Sequence, residues 1–322
     1  MPRRRFVRLA VAAAMVPGMP RQARARAYPA RAVRWIVGFS PGGGTDSVSR
    51  VMAQWLSDRL GQPVVVENRP GASTNLSIQA ALNSPPDGYT VVVVTASSAI
   101  NVTLSDRPSL DLLRSVVPVA GLIDFPVVLV TNPAVPARTV AQFIDWARDN
   151  PGVGIASYGT GSTSHMALEL FKSMTGLNLV HVPYRGDALA VADTISGQVQ
   201  GTFATLTAAL PHIVSGAVRL VAVAGKNRSE FMPDAPTVAE TVPGYEAYSW
   251  VGLGVAAGTP AEIIARLNSD INAGLVDPAV RHRLATLAAT PIVHTPESFG
   301  TLVRSEVDKW AGVIKTAGIK RD

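Results

Sequence analysis

Two glycine-rich turns constrain the fold of this chain more than any other feature. They read FSPGGGTD at 39–46 and YGTGSTSH at 158–165, and each follows a run of β-branched residues and precedes a helix with one apolar face. Short β runs alternate with amphipathic helices from Tyr28 onward, which predicts an α/β fold with a largely parallel sheet, built as two units. Because ligands bind beyond the carboxyl ends of such strands, we expect the turns to face each other across a cleft.

The positive charge of the chain is concentrated in its first 27 residues. The whole chain has 29 basic and 23 acidic residues, and residues 1–27 contain seven arginines and no acid, which leaves 29 − 7 = 22 basic residues in a nearly neutral remainder. This removes the charge argument for a nucleic-acid partner. A basic start, an apolar run at 9–16 and ARA at 25–27 are typical of a signal peptide cleaved near Ala27 and Tyr28, and both Sec and Tat export fit it.

The chain contains no cysteine. Disulfide bonds, thiolate metal sites, cysteine nucleophiles and the lipid anchor of a lipoprotein are therefore excluded. The apolar runs are shorter than the roughly 20 residues of a membrane-spanning helix. We therefore expect an exported, unanchored periplasmic protein, without a cofactor or a metal site.

The first turn admits two enzymatic interpretations, and both are weak. A nucleotide-binding loop is disfavoured because no Lys follows the glycines and Ser47 stands where the dinucleotide pattern needs a third glycine. Residues 38–42 match the G-x-S-x-G pattern of serine hydrolases, but Pro41 follows Ser40 and has no N–H for an oxyanion hole. Losing one such donor costs about 10²–10³ in rate. An exported serine hydrolase that uses Ser40 is therefore the disfavoured alternative.

The third interpretation of the turns is anion binding at helix N-termini. A helix N-terminus offers unpaired N–H groups and partial positive charge, and glycines let a carboxylate approach the backbone. Thr45 in the first turn and the hydroxyls of 162–164 in the second add donors. Asp46 would repel an anion, so we expect it to orient the loop or a bound water, and capping of the helix by Thr45 or Asp46 stays open.

Seven stretches, in order and spacing, resemble the substrate-binding proteins of tripartite tricarboxylate transporters, the Bug family. They are residues 28–75, PPDGYTVVVVT, SYGTGSTSHMALELFK, LVHVPYRG, ALPHI, APTVAE and VGLGVAAGTPAEIIARLN. The resemblance implies a type II periplasmic-binding-protein fold, with two α/β domains joined by crossing strands around a ligand cleft. By analogy, domain I comprises 28–125 and 226–322, domain II comprises 126–225, and 1–27 is the signal peptide.

The resemblance also implies a function and a set of site residues. Such proteins are not enzymes: they bind a small carboxylate, deliver it to membrane permease subunits, and usually act as monomers. Matching positions imply ligand contacts from both turns and from nearby strands, namely Phe39, Ser40, Gly43, Thr45, Asp46, Ser97, Tyr158, Gly161, Ser162, Ser164, His165 and Tyr184. His165 is either a donor to the ligand or a packed residue, and Arg185 either meets the far end of the ligand or is a solvated charge.

One stretch departs from the pattern of the family. Where many relatives have Phe-Asp-Asn-Leu, this chain has Phe203-Ala204-Thr205-Leu206, which lacks an acid that would pair with an amino group. We therefore expect a dicarboxylate or an aromatic acid as the ligand, in preference to an amino acid. Tighter binding of aspartate than of succinate would contradict this expectation.

Overall fold

The computed structural model describes residues 28–104 and 111–319. The predicted signal peptide at 1–27 lies outside these residues. Ten strands are present in the described part of the chain: β1 (Val33–Val37), β2 (Val64–Asn68), β3 (Thr90–Thr95), β4 (Val116–Thr131), β5 (Val153–Ser157), β6 (Leu179–Pro183), β7 (Gly201–Thr205), β8 (Arg219–Val223), β9 (Tyr248–Ala256) and β10 (Thr290–Pro291).

The helices lie between and after these strands. They are α1 (Gly44–Leu60), α2 (Asn75–Leu82), α3 (Ala96–Leu104), α4 (Leu112–Ser115), α5 (Val140–Asp149), α6 (Thr163–Thr175), α7 (Asp187–Ser196), α8 (Leu206–Val214), α9 (Ala261–Val276), α10 (Pro278–Thr286) and α11 (Pro296–Ala317), with single 3₁₀ turns at Ala72–Thr74 and Val238–Glu240. No helix of the described residues has the length and apolar character needed to cross a membrane.

The strands form two half-sheets that share the long strand β4. The first half-sheet, here lobe I, has β1 parallel to β2 and β3, and β9 antiparallel to β3 and to the first part of β4. The second, lobe II, has β5 parallel to β6 and β7, while β7 and β8 are antiparallel to the last part of β4. The sheet is thus parallel at its outer strands and antiparallel at its centre, where β4 pairs with β9 in lobe I and with β7 and β8 in lobe II.

The change of partner along β4 marks the connection between the lobes. Pro126 pairs with Tyr248 of β9, whereas Val127 pairs with Thr205 of β7. The chain returns from lobe II between β8 and β9, so two connections cross side by side. The division of the sequence at 125/126 and 225/226 stays a prediction.

Each lobe has its own buried apolar core. The core of lobe I includes Trp35, Met52 and Leu253, and that of lobe II includes Phe143, Phe171 and Phe203. Continuous apolar strands such as β3, in which every residue is buried, match strands covered by helices on both faces.

The sequence pattern predicts a polar loop at the end of the strand in 87–98, a helix at 166–176 and a helix that starts with Thr-Pro in 259–287, and the structure differs at each. Ser97 lies in the first turn of α3, which follows β3 directly, and not in a loop. Helix α6 begins at Thr163, three residues before the predicted apolar face, because Ser162 caps it with a side-chain oxygen that accepts from the N–H of His165. The stretch 259–287 contains two helices, because Asp277 caps α10 and Pro278 occupies its first turn.

Candidate functional site

The first glycine turn joins β1 to α1 and contacts lobe II. Both the N–H and the hydroxyl of Ser40 donate to the carbonyl oxygen of Arg185, at 3.1 and 2.9 Å. Gly43 precedes α1 as its N-cap, without a side-chain cap. The hydroxyl proton of Ser40 is directed at a main-chain carbonyl, which is not a general base, so this geometry does not resemble an activated serine.

Asp46 holds the first turn in place. Its buried carboxylate accepts from the Gly42 N–H at 3.0 Å, from Arg50 Nε at 2.9 Å and from Asn68 Nδ2 at 2.8 Å. Burial raises the pKa of this carboxyl, but the hydrogen bonds from Arg50, Gly42 and Asn68 outweigh burial and hold the pKa below its usual value. The geometry is that of a loop-orienting residue.

Ser164 and His165 of the second turn use their polar groups within lobe II. The hydroxyl of Ser164 donates to the carbonyl of Phe203, and the N–H of Gly161 donates to Nδ1 of His165 at 3.1 Å. The ring of His165 is buried and stacks on that of His181 with centroids 4.0 Å apart. Of its two sequence-based interpretations, this geometry favours the packed residue.

A third segment, which the sequence-based site list omitted, meets the second turn from lobe I. Ala72, Ser73 and Thr74 are three successive non-glycine residues at positive φ (45°, 44° and 83°). The hydroxyl of Ser73 donates to the carbonyl of Thr160 in lobe II. Such backbone costs on the order of 1–3 kcal/mol per residue and occurs at binding and switch sites. Ala, Ser and Thr disfavour positive φ, so the sequence alone does not predict this backbone conformation.

Asn101 on α3 ties the strained segment to the second turn. Its Nδ2 lies 2.7 Å from the carbonyl oxygen of Ser97, 3.0 Å from that of Gly161 and 3.2 Å from that of Ser73. The hydroxyl oxygen of Ser97 in turn accepts from the N–H of Thr163 at 3.4 Å. These contacts join both lobes, so the structure is a closed form of the cleft.

A cavity of about 500 Å³ remains between the closed lobes. Its lining comprises Gly38, Phe39, Pro70, Gly71, Ala72, Ser73, Leu76, Tyr158, Gly159, Thr160, Pro183, Tyr184 and Arg185. Three of these are glycines, which present main-chain atoms. Within the part of the chain that the structure describes, the lining has one cationic side chain, Arg185, and no acidic one.

The cavity separates the predicted site residues into two groups. Phe39, Tyr158 and Tyr184 line it, and Ser40 contacts the lining residue Arg185. The remaining predicted residues, Gly43, Thr45, Asp46, Ser97, Gly161, Ser162, Ser164 and His165, are buried around it without lining it. The part of these residues in ligand binding stays a prediction.

The aromatic lining is held by contacts from both lobes. The rings of Phe39 and Tyr158 meet edge to face at 5.7 Å, and Tyr158 of lobe II packs into the core of lobe I. The hydroxyl of Tyr184 donates to Asp193 at 2.6 Å. Partial burial, followed by the neighbouring Asp193 carboxylate, raises the pKa of Tyr184 to about 12.

Asp187, at the start of α7, is a buried acid that sequence reasoning missed. Its carboxyl accepts from the N–H and the hydroxyl of Thr205, both at 3.1 Å, and faces the N–H of Gly44 across the cleft. Burial raises its pKa to about 7 against the opposing effect of these bonds. The acid at the end of YRGD, residues 184–187, could have been noted as a candidate from the sequence, but only the fold brings Asp187 to Thr205.

Asp187 changes the premise of the ligand prediction. An acid is absent at position 204, as the sequence states, yet Asp187 supplies one beside the neighbouring Thr205. Its known partners are all hydrogen-bond donors of the protein itself. The expectation that the ligand is a dicarboxylate or an aromatic acid and not an amino acid therefore stays a prediction. The missing acid at position 204 alone no longer supports it, because Asp187 lies nearby.

In the described residues there is no cluster of three or more His, Cys, Asp or Glu side chains suited to a metal ion.

Comparisons with known proteins agree on a single family. The family model described as "Tripartite tricarboxylate transporter family receptor" matches residues 48–319. Protein BugT of Bordetella pertussis is 38% identical over 307 residues, which cover 94% of this chain and 94% of that protein.

Solved structures give the same result. The periplasmic binding protein BugD has a TM-score of 0.88 and 30% identity, and the match covers 92% of this chain and 100% of that one. A protein from R. palustris, solved with adipate, has a TM-score of 0.88 and 34% identity over 91% of this chain and 99% of that one. The predicted periplasmic-binding-protein fold is thereby confirmed.

Proposed function

This chain belongs to the tripartite tricarboxylate transporter receptor family, and on that premise we propose that it is a periplasmic receptor for a small carboxylate. It binds the acid in the cavity between the lobes and hands it to the membrane permease subunits of a tripartite transporter. We further propose that it acts as a monomer and catalyses no reaction. The periplasmic location is that of BugD, to which it is similar.

The observation that carries this proposal is the cavity at the closed lobe interface. Both lobes contribute to its lining, so a ligand within it touches both and favours the closed form. The R. palustris neighbour was solved with adipate, a small carboxylate. A cavity of about 500 Å³ falls within the usual 300–1,000 Å³ of small-molecule sites.

We propose that Arg185 pairs with the carboxylate of the ligand. Among the described residues it forms no ion pair, and it is an exposed residue of the cavity lining. A planar guanidinium suits bidentate recognition of a carboxylate. Phe39, Tyr158 and Tyr184 then contact the body of the acid. The other predicted residues hold the two turns around it.

The test is thermal unfolding of the protein without residues 1–27, freed of ligand by denaturation and refolding. The panel contains di- and tricarboxylates, aromatic acids and amino acids. A ligand at about 100 times its dissociation constant adds about 2.7 kcal/mol, which raises Tm by several degrees. We expect a selective rise with acids, and a rise with none of them would contradict the proposal.

A pair of variants locates the binding residue. In Arg185→Ala we expect the rise in Tm to disappear, because the cavity loses its cation. Arg114→Ala removes an arginine whose side chain is 88% exposed and lies outside the cavity lining, and it should respond as the wild type does. Equal responses of the two variants would exclude Arg185 from the binding site.

A further inference from the structure

A carboxyl group of the protein itself, that of Asp187, lies at the N-terminus of α1. Gly44 is the first residue of α1, and its N–H faces the carboxyl group of Asp187, where it lowers the pKa of that carboxyl. Thr205, the N-cap of α8, donates its own N–H and its hydroxyl to the same carboxyl. Two helix N-termini, one from each lobe, therefore meet at the side chain of Asp187, which is an anion-binding arrangement.

The turn is too tightly packed to admit a second carboxyl group at this point. A Cβ atom placed on Gly44 would lie 2.6 Å from the hydroxyl oxygen of Thr205, closer than such atoms can approach, whereas one placed on Gly43 would be in ordinary contact with a carboxyl oxygen of Asp187, at 3.7 Å. The residue Asp187 is 6% exposed. A carboxylate of a ligand can reach the N–H of Gly44 only where the carboxyl of Asp187 is absent.

Away from Asp187, the cleft offers a ligand one charged side chain, that of Arg185. The cavity is lined by aromatic and aliphatic side chains, including Phe39, Tyr184 and Leu76, and its one cation in the described residues is Arg185. An acid with a single carboxylate satisfies Arg185 and places an apolar body against these side chains. A second carboxylate would lie in this cavity without a second cation to pair with, which is unfavourable.

We propose that Asp187 is a specificity-determining residue: its carboxyl group occupies the position that a second ligand carboxylate would take, and this receptor therefore selects monocarboxylates with an apolar or aromatic body. The proposal rests on the proposed function, because it names the substrate class of the same cleft. It sets the protein apart from the neighbour solved with adipate, a dicarboxylate.

The test compares acids that differ only in the second carboxylate. Calorimetric titration with hexanoate against adipate, and with benzoate against terephthalate, is run on the full mature chain and on Asp187→Ala. We expect the wild type to bind the better monocarboxylate at least tenfold more tightly than its diacid. In Asp187→Ala the diacid should gain at least tenfold, while the monocarboxylate changes less than threefold.

Two further proteins separate this role from a merely structural one. Asp187→Asn keeps the volume of the side chain and an amide oxygen that can accept from the N–H of Thr205, so diacids should remain weak ligands. Asp145→Asn, on α5 with a 76% exposed side chain, should match the wild type. An unchanged ratio of monoacid to diacid affinity in Asp187→Ala would overturn the proposal and leave the carboxylate receptor standing.

Acetate serves as a small carboxylate probe, so the test of Asp187 does not require that the natural ligand be known. In Asp187→Ala, acetate can occupy the vacated position and should raise Tm saturably, against chloride at equal ionic strength, whereas the wild type should not respond. If none of the four acids binds any variant, the full panel of acids decides about the proposed function, and acetate decides about Asp187 alone. Equal responses of wild type and Asp187→Ala to acetate would overturn the assignment of Asp187.

Discussion

The pH dependence of stability should report directly on Asp187. Its pKa is about 7 in the folded protein, raised from 3.8 by burial that the bonds from Thr205 and Gly44 only partly offset. A raised folded-state pKa means that the folded protein binds a proton more tightly than the unfolded chain does. The stability that this proton contributes is fully present below pH 3.8 and is lost as the pH rises through 7.

The size of the effect follows from the two pKa values. Between pH 5 and pH 8 the folded protein releases a proton that the unfolded chain has almost entirely lost already, which lowers the free energy of unfolding by roughly 2–3 kcal/mol. For a chain of this size that corresponds to a fall in Tm on the order of 5 °C. Asp187→Asn does not titrate, so it should lack this part of the slope.

The assay is chemical and thermal denaturation of wild type and Asp187→Asn at pH 5, 6, 7 and 8. The difference between the two proteins is the quantity of interest, because Asp124 has a pKa raised to about 6 by burial and by Glu306 and changes stability in both. We expect Asp187→Asn to gain relative to the wild type as the pH rises. A difference that is constant with pH, or that falls, would refute the assignment.

Three other substitutions test how the cleft closes. Gly44→Ala should weaken binding of the acid identified by thermal shift at least tenfold in calorimetry, because the new Cβ lies 2.6 Å from the Thr205 hydroxyl oxygen; Gly312→Ala, in open space on α11, should leave binding unchanged. Asn101→Ala should cost about 1–3 kcal/mol of binding free energy in the same titration, since it removes a donor shared by both lobes. Asp46→Asn should lower the free energy of unfolding in urea by about 1–3 kcal/mol at pH 7, and this loss should vanish as the pH falls through the depressed pKa of Asp46.

Much of the fold is written in local sequence patterns. The alternation of β runs and amphipathic helices locates both glycine turns between a strand and a helix, as the structure has them between β1 and α1 and between β5 and α6. The antiparallel centre of the sheet was not predictable in this way, because a long apolar run such as β4 carries no sign of its partners. Partners of β4 are set by the crossing of the chain between lobes, which is a property of the whole fold.

The candidate site was predictable where a glycine pattern marks it and not elsewhere. Asp187 and Thr205 are 18 residues apart, on different elements, and no spacing rule joins them. The strained segment at 72–74 was hidden because Ala, Ser and Thr do not favour positive φ. Interactions across the cleft offset that strain. Such long-range interactions cannot be predicted from a short stretch of sequence.

The glycines of the first turn allow contacts between the lobes that the sequence did not suggest. They were expected to let a ligand carboxylate approach the backbone, yet Gly44 allows the hydroxyl of Thr205 to approach, and Gly43 faces Asp187. The same absence of side chains therefore serves contact between lobes. If so, Gly44→Ala should weaken the closed form even without ligand, and small-angle scattering of the ligand-free variant should show a larger radius of gyration than that of the wild type. An identical radius of gyration would contradict this role and favour ligand binding as the role of these glycines.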